Sequence, residues 1–351
     1  MAQTQKPTVV RAGIQLRKHA AHHHAAPPLD KRYTSPPYPS GDRAVGKQKK
    51  LPDFFIIGAP KCGTTSLYRY LGQHPDVYFP ENKEPKFFCD DTLYTEGLDL
   101  YSKRFYRNAH NYMRCGDASP HYLYYHKAAQ RIRKDLPEDS HRFIVIFRDP
   151  VARAYSHYWN MVYEGFETLS FEQALTEEPS RIRTNDYAAR GVLNAHYVAC
   201  GMYAEQLGRW FELFDRNRFL LLFQHDLAKQ PQKLMTRVYR FLGLTDVNVD
   251  ASTVHNPSGQ ARSVGLQRWL RQPSRLRKIV SPLIPYAARY RVATLLVRMN
   301  RRTASYPPMD SQIEESLRER FLPDIERLEQ ITGTDLSDWK SARTAEMSAD
   351  R

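Results

Sequence analysis

The sequence of 351 residues has few cysteines. Its four cysteines form no C-x-x-C pair and no group with metal-ligand spacing: Cys62, Cys89, Cys115 and Cys200. So few thiols in so long a chain argue against a disulfide framework and favour a reducing compartment. No metal site is expected.

Long apolar segments are also missing. The sequence contains no run of about 18 apolar residues, the length that a membrane-spanning helix requires. The basic N-terminus has no apolar core long enough for a secretory signal. We therefore expect a cytoplasmic location, with peripheral attachment to a membrane as the alternative.

Positive charge is abundant but confined to two segments. The formal net charge is +14, yet residues 1–50 and 262–302 together hold more than this excess. Residues 1–50 lack apolar periodicity and are predicted to form a disordered basic arm. Residues 262–302 contain eleven Lys and Arg, no acidic residue and several prolines, which predicts a basic segment of short helices. This segment either docks an anionic surface or covers a ligand. No nucleic-acid partner is expected.

The most informative stretch is residues 54–68, FFIIGAPKCGTTSLY. Its apolar start predicts a buried strand, Gly58 and Gly63 bracket a tight loop, and helix-compatible residues begin at Thr64. Such a strand, loop and helix start form an anion site, because the first-turn N–H groups and the helix dipole face the loop. Side chains able to contact phosphate oxygens follow in the same loop: Lys61, Thr64, Thr65 and Ser66.

The spacing of the two glycines matches the ATP-binding pattern G-x-x-x-x-G-K-[ST], but the lysine does not. Thr64 occupies the lysine position of that pattern, and Lys61 precedes the second glycine instead. A P-loop kinase or nucleoside triphosphatase is therefore the less favoured reading. The other alternative is a non-enzymatic binder of anionic polymers through the two basic segments, which leaves this loop unexplained.

The segment GAPKCGTTSL resembles the 5′-phosphosulfate loop of sulfotransferases that use 3′-phosphoadenosine-5′-phosphosulfate (PAPS). The resemblance implies that Lys61 stabilises charge as the sulfuryl group leaves. It also implies a set of donor-binding residues in this loop: Lys61, Cys62, Gly63, Thr64, Thr65 and Ser66.

A second motif follows the strand predicted at residues 142–147. Arg148-Asp149-Pro150 opens a predicted helix, and Ser156 follows the arginine by eight residues. In the resembled family this pattern binds the 3′-phosphate, and the planar fork of an arginine suits that ligand. Further candidates for the same phosphate are Arg262, in a later loop, and Arg301 or Arg302 as a cap.

Residues 80–88, PENKEPKFF, form a charged loop before an aromatic pair. In the heparan-sulfate branch of the family, a glutamate three residues before the Phe-Phe pair is the general base. Glu84 occupies that position, and a carboxylate can accept the proton of an attacking hydroxyl. Lys83 and Lys86 favour its ionised form. A purely structural charge is the alternative.

A loop predicted after a short strand near residue 115 contains Ser119-Pro120-His121-Tyr122. Its Ser-Pro-x-Tyr core recurs in the family. The heparan-sulfate members carry a lysine where this chain has Ala118, so contacts made by that lysine do not transfer. His121 is a candidate acceptor contact, with a surface histidine as the alternative.

The remaining patterns complete the expected fold. Apolar residues predict a core helix over 203–214, a third strand over 219–223 and a C-terminal helix over 313–328. Between the last two, residues 224–227 lead into one amphipathic helix that ends at Gly243. Asp226 is expected to cap the helix after the third strand. Residues 335–339, DLSDW, resemble the usual terminal signature of the family.

The predicted fold class is α/β, a P-loop-like three-layer fold with a mainly parallel sheet flanked by helices and the ligand at the carboxyl ends of the strands. The domain would span residues 51–340, followed by a tail over 341–351. The resemblance implies a bacterial-type enzyme that transfers a sulfuryl group from PAPS to a hydroxyl or amine of an acceptor. The expected acceptor is a carbohydrate, glycan or glycolipid.

Overall fold

The computed structural model describes residues 49–136, 141–184, 195–251, 259–261, 301–303 and 306–341. The basic arm predicted over 1–50, apart from its last two residues, lies outside the described residues, as does the tail after residue 341. Arg262 and nearly all of the basic segment 262–302 also lie outside them. In Arg301 and Arg302 only the backbone is described.

A sheet of five parallel strands forms the centre of the protein, in the spatial order β2–β3–β1–β4–β5. The strands are β1 (Phe54–Gly58), β2 (Val77–Tyr78), β3 (Arg114–Asp117), β4 (Arg142–Phe147) and β5 (Phe219–Phe223). Because the chain passes from one side of β1 to the other, the carboxyl end of β1 lies at the switch point where ligands bind in such sheets. The predicted α/β class is confirmed.

Helices flank this sheet, which explains why β1, β4 and β5 are almost wholly apolar. They are α1 (Thr64–Leu71), α2 (Asp91–Thr95), α3 (Gly97–Phe105), α4 (His126–Asp135), α5 (Pro150–Glu164), α6 (Phe171–Thr184), α7 (Tyr203–Phe211), α8 (Gln224–Lys229), α9 (Pro231–Leu242), α10 (Ser311–Thr332) and α11 (Ser337–Lys340). A short antiparallel pair, β6 (Gly259–Ala261) with β7 (Arg301–Thr303), stands apart from the main sheet. Among the residues that the structure describes, no helix combines the length and apolar character that crossing a membrane requires.

Several predicted helix boundaries were wrong. The core helix predicted over 203–214 ends at Phe211, although Phe214 is still buried. The single helix predicted after β5 is two helices, because Pro231 lacks an N–H group and therefore begins a new helix. Asp226 caps neither helix: it lies in the first turn of α8 and pairs with His225 at 3.0 Å.

The core around β4 is aromatic. Phe143 is fully buried, and its ring centroid lies 4.9 Å from that of Phe219, 5.2 Å from Trp210 and 4.7 Å from Phe214. The stripe predicted as core on α7 therefore packs on the sheet. Burying each such side chain contributes roughly 1.5–3 kcal/mol, so this cluster holds the strands that lead to the site.

The C-terminal helix α10 braces the same edge of the sheet. Its buried Asp324 accepts hydrogen bonds from the backbone N–H groups of Ala204 and Glu205, at 2.9 and 3.0 Å, and so satisfies the first turn of α7. The terminal Trp339 packs 5.8 Å from Phe223 at the end of β5. The end of the domain is thus fixed beside the carboxyl ends of the strands.

Candidate active site

The loop after β1 has the geometry of an anion site. Gly63 precedes α1 with φ 96°, a left-handed conformation that favours glycine. A Cβ on Gly58 would lie 2.6 Å from the Leu123 side chain, so no larger residue fits there. No side chain of the described residues caps α1, and its first turn holds no acidic residue. The positive end of α1 therefore faces the loop.

Lys61 lies within this loop and contacts α5. Its Nζ donates to Asn160 Oδ1 at 2.8 Å. Burial, together with the charges of Arg148 and Arg153, lowers the pKa of Lys61 to about 8. An incoming anion would oppose all three effects and restore the proton.

Arg148 lies against the same loop. Its Nη1 donates to the backbone oxygen of Lys61 at 3.5 Å, and its own backbone oxygen accepts from Tyr203 Oη at 2.9 Å. Asp149, the next residue, caps α5 through the Val151 N–H at 2.9 Å. The Arg-Asp-Pro motif is thus both a side chain at the anion loop and the start of α5.

Cys62 is the loop residue that points away from the site. Its side chain is fully buried, with Sγ 3.4 Å from Tyr203 Oη. Burial raises the pKa of this thiol, so it stays protonated. Cys62 can therefore offer a ligand only its backbone, as expected for a small loop residue rather than a nucleophile.

The predicted hydroxyls lie on the two helices that border the loop. Thr64 is buried, whereas Thr65 and Ser66 are partly exposed in the first turn of α1. Ser156 lies on α5, four residues before Asn160, so both occupy the face of that helix that meets Lys61. Arg262, the remaining phosphate candidate, lies outside the described residues.

Glu84 approaches the same loop from the segment after β2. Its carboxylate is partly buried, with Oε1 2.8 Å from Lys83 Nζ and Oε2 3.8 Å from Lys86 Nζ. Burial alone would raise the pKa of Glu84, but the charges of Lys83 and Lys86, with the hydrogen bond from Lys83, outweigh it and hold the pKa at about 2. Glu84 in turn acts on the charge of Lys61. The structure thus brings the predicted carboxylate and the predicted lysine together.

His121 lies beside Glu84 and is only partly exposed, so it is not a freely solvated surface histidine. Burial and the charge of Lys86 lower its pKa to about 3, although Glu84 opposes this. The ring is therefore neutral at neutral pH. A neutral imidazole can orient an acceptor by hydrogen bonding.

Two residues of the site, Asn160 and Arg153, were not predicted from the sequence. Asn160 contacts Lys61, and its only sequence signal is its position four residues after Ser156. Arg153 is fully buried and donates from Nη2 to the backbone oxygen of Tyr197. Within the described residues, its Nε and Nη1 have no hydrogen-bond partner. A charge buried in this way adds positive potential behind the loop.

Two cavities differ in their position relative to these residues, and the smaller one adjoins the candidate site. A small cavity of about 50 Å³ adjoins Arg148 and is bordered by Gln224, His225 and Trp339. A larger one of about 370 Å³ lies between α7 and α10 and touches none of the candidate site residues. In the described part of the chain, no group of three or more His, Cys, Asp and Glu side chains is arranged to hold a metal ion.

Comparison with known proteins gives a consistent result. A family model for the sulfotransferase domain matches residues 51–263. The chain is 27% identical over 266 residues to carbohydrate sulfotransferase 15 of Homo sapiens, covering 60% of this chain and 47% of that protein. It is 28% identical over 249 residues to heparan sulfate glucosamine 3-O-sulfotransferase 3A1 of Mus musculus, covering 67% and 60%.

The chain thus spans about half to three-fifths of the length of these curated relatives. Among solved structures, it resembles a sulfotransferase from Alicyclobacillus acidocaldarius with a TM-score of 0.61 and 28% identity. That match covers 83% of this chain and 100% of the other. The fold and the family model therefore agree.

Proposed function

The chain belongs to the sulfotransferase domain family, and on that basis we propose that it transfers a sulfuryl group from PAPS to an acceptor hydroxyl or amine. The acceptor we propose is a carbohydrate or glycoconjugate, because the relatives are named for carbohydrate and heparan sulfate. The observation that carries the proposal is the contact of two cations, Lys61 and Arg148, in the loop after β1, with the Glu84 carboxylate near enough to raise the pKa of Lys61.

The donor would bind along the positive end of α1. In this arrangement the loop N–H groups and the hydroxyls of Thr65 and Ser66 hold the 5′-phosphosulfate, and Lys61 contacts the transferring group. Arg148 and Ser156 hold the 3′-phosphate, with Arg262 as a further proposed ligand. No metal ion has a role in this scheme, since the cations of the chain neutralise the developing charge.

The reaction is an in-line displacement. The acceptor oxygen attacks sulfur, the bond between sulfur and the 5′-phosphate oxygen breaks, and the electron pair leaves on adenosine 3′,5′-bisphosphate. Glu84 takes the proton of the acceptor. With a pKa of about 2 it is ionised but weakly basic in the free protein. An acceptor that excludes water from Glu84 would raise this pKa toward its ordinary value, because burial acts against the charges that lower it.

The kinase reading is not favoured, because the family match and the displaced lysine both oppose it. The boundaries at residues 50 and 340 and the role of the segment 262–302, as lid or anionic dock, stay predictions. We propose the cytoplasm as the location, since all four cysteines are buried and none forms a disulfide.

Two measurements test the proposed function. Adenosine 3′,5′-bisphosphate should raise the Tm of the protein clearly, and ATP with Mg²⁺ should not, since a ligand stabilises the state that binds it. An Arg148→Ala variant should lose most of the stabilisation. Incubation with labelled PAPS and a panel of glycans, glycolipids and simple alcohols, followed by mass spectrometry, identifies the acceptor. Stabilisation by ATP equal to that by the bisphosphate would favour the kinase instead.

A further inference from the structure

We propose that Asp117, at the carboxyl end of β3, is a positioning residue that holds Glu84 in the conformation required for proton transfer. The inference rests on the proposed function of Glu84 as the base. Asp117 does not itself contact the Glu84 carboxylate in any hydrogen bond or ion pair among the described residues. It acts through the backbone that follows Glu84.

Asp117 is the centre of a buried hydroxyl cluster. Its side chain is 0% exposed, and its carboxylate accepts three hydrogen bonds. Ser119 Oγ donates to Oδ1 at 2.6 Å, and the hydroxyls of Tyr101 and Tyr122 both donate to Oδ2 at 2.7 Å. No lysine or arginine of the described residues forms an ion pair with it. Burying an ionised carboxylate this deeply without a cationic partner costs folding free energy. Its three hydrogen bonds therefore point to a role that a neutral side chain could not fill.

The first arm of the cluster reaches the Glu84 loop through Ser119. Ser119 Oγ accepts a hydrogen bond from the Lys86 backbone N–H at 3.0 Å. A serine hydroxyl has a single proton. Because an ionised Asp117 can only accept, it takes that proton and leaves the serine lone pairs facing Lys86. Asp117 therefore determines the direction of the Ser119 hydroxyl.

The second arm runs through the two tyrosines. Tyr122 Oη, whose proton goes to Asp117, accepts from the Phe88 backbone N–H at 3.4 Å. Tyr101 stacks on Phe87 with ring centroids 4.3 Å apart and an interplanar angle of 17°. The first arm thus ends on Lys86, within the Glu84–Lys86 turn, and the second on the two residues that follow the turn.

The turn itself needs such support. Glu84 has φ 69° and Lys86 has φ 60°, left-handed backbone values that residues other than glycine rarely adopt. Pro85 separates them, so neither residue can relax without moving the other. Conformations of this kind persist where the surroundings hold them, and they cluster at functional sites. The hydrogen bond from the Lys86 N–H to Ser119 Oγ helps to hold the turn Glu84–Lys86 in this conformation.

A set of single variants tests the proposal. Ser119→Ala removes the first arm, Ser119→Thr keeps a hydroxyl there, and Asp117→Asn removes the acceptor-only group. Tyr78→Phe is the matched control, because it deletes a hydroxyl that bonds to the Phe105 backbone oxygen and not to Asp117, Lys86 or Phe88. If Asp117→Asn does not fold, Ser119→Ala carries the test.

We expect Ser119→Ala and Asp117→Asn to lower kcat between about 10- and 100-fold, the size of effect that misplacing a reacting group produces. The affinity for adenosine 3′,5′-bisphosphate should stay within about twofold. Ser119→Thr and Tyr78→Phe should retain kcat. In a Glu84→Gln background, Ser119→Ala should cause no further loss, because residues that act as one unit are not additive.

The results of these variants distinguish the role of Glu84 as the base from the positioning role of Asp117. Wild-type turnover by Glu84→Gln would end the role of Glu84 and, with it, the positioning role of Asp117. A large loss in Glu84→Gln with wild-type kcat in Ser119→Ala would overturn the positioning role alone. A parallel fall of kcat and bisphosphate affinity in Ser119→Ala would also overturn it, since that pattern indicates general damage to the fold.

Discussion

Raising the pH from about 7 to about 9 should weaken the binding of adenosine 3′,5′-bisphosphate about tenfold through Lys61 alone. The pKa of Lys61 is about 8 in the free protein, chiefly because of burial and then because of Arg148 and Arg153. The protonated fraction therefore falls from about nine tenths to about one tenth over this range. If only the protonated form binds the phosphate well, the affinity falls in the same ratio, or by about 1.4 kcal/mol.

The stability of the free protein should respond in the opposite direction. An unfolded lysine has its ordinary pKa of 10.5, so between about 8 and 10.5 the unfolded chain binds more protons at this residue than the folded protein. The contribution of Lys61 to the free energy of unfolding therefore increases as the pH rises through that window. Below it, the charge of Lys61 opposes folding.

Calorimetric titration across the pH range measures the binding effect, and two variants isolate it. Lys61→Met should bind the bisphosphate more weakly at neutral pH and show little dependence on pH, because the second pKa of a phosphate, about 6, lies below the range. Lys61→Arg should stay charged and also lose the dependence. A pH slope in Lys61→Met equal to that of the unmodified protein would show that Lys61 does not contact the phosphate.

Two further substitutions test other parts of the site. Glu84→Gln should retain bisphosphate binding but lower turnover by on the order of 10²- to 10⁴-fold, as expected for a general base. Glu81→Gln, which changes an exposed residue of the same loop, is the control. Equal turnover rates in the two variants would remove Glu84 from the mechanism. Arg318→Met should lower the free energy of unfolding by about 3–5 kcal/mol, because Arg318 bonds to Asp149 at 3.2 Å and to the Trp339 backbone oxygen at 2.7 Å while only 5% exposed. Urea unfolding measures this loss, with the exposed Arg320→Met as control, and a change no larger than that of the control would show that the buried pair is not what anchors α10.

The strands β1, β4 and β5 were predictable because their signal is local. Residues 54–57, 143–147 and 219–223 are apolar runs, and a parallel sheet covered by helices on both faces requires such runs. The two-residue strand β2 has no such run and was not predicted. The glycine loop was predictable because the spacing of Gly58 and Gly63 is itself a pattern and Gly63 meets a local backbone requirement, with φ 96°. The helix ends were less predictable, because Pro231 could be read either as an interruption or as the first residue of a new helix.

The contacts that assemble the site were not predictable in the same way. Lys61 and Asn160 are 99 residues apart, and Lys86 and Ser119 are 33 apart. No short-range pattern contains such a pair, and polar side chains at these positions are as compatible with solvent as with a buried bond. Asp117 follows a short strand in the sequence, but its three hydroxyl donors are evident only in the folded structure.

The charges around the loop explain why the free site is energetically unfavourable for the protein. Arg148 and Arg153 both lower the pKa of Lys61, which means that the three cations repel one another. Arg153 is fully buried and, among the described residues, two of its nitrogen atoms have no hydrogen-bond partner. Such an arrangement reduces stability in the absence of an anion, and it needs no reorganisation when negative charge arrives. The same cations that make Lys61 lose its proton early would therefore hold the negatively charged groups of the donor once it binds.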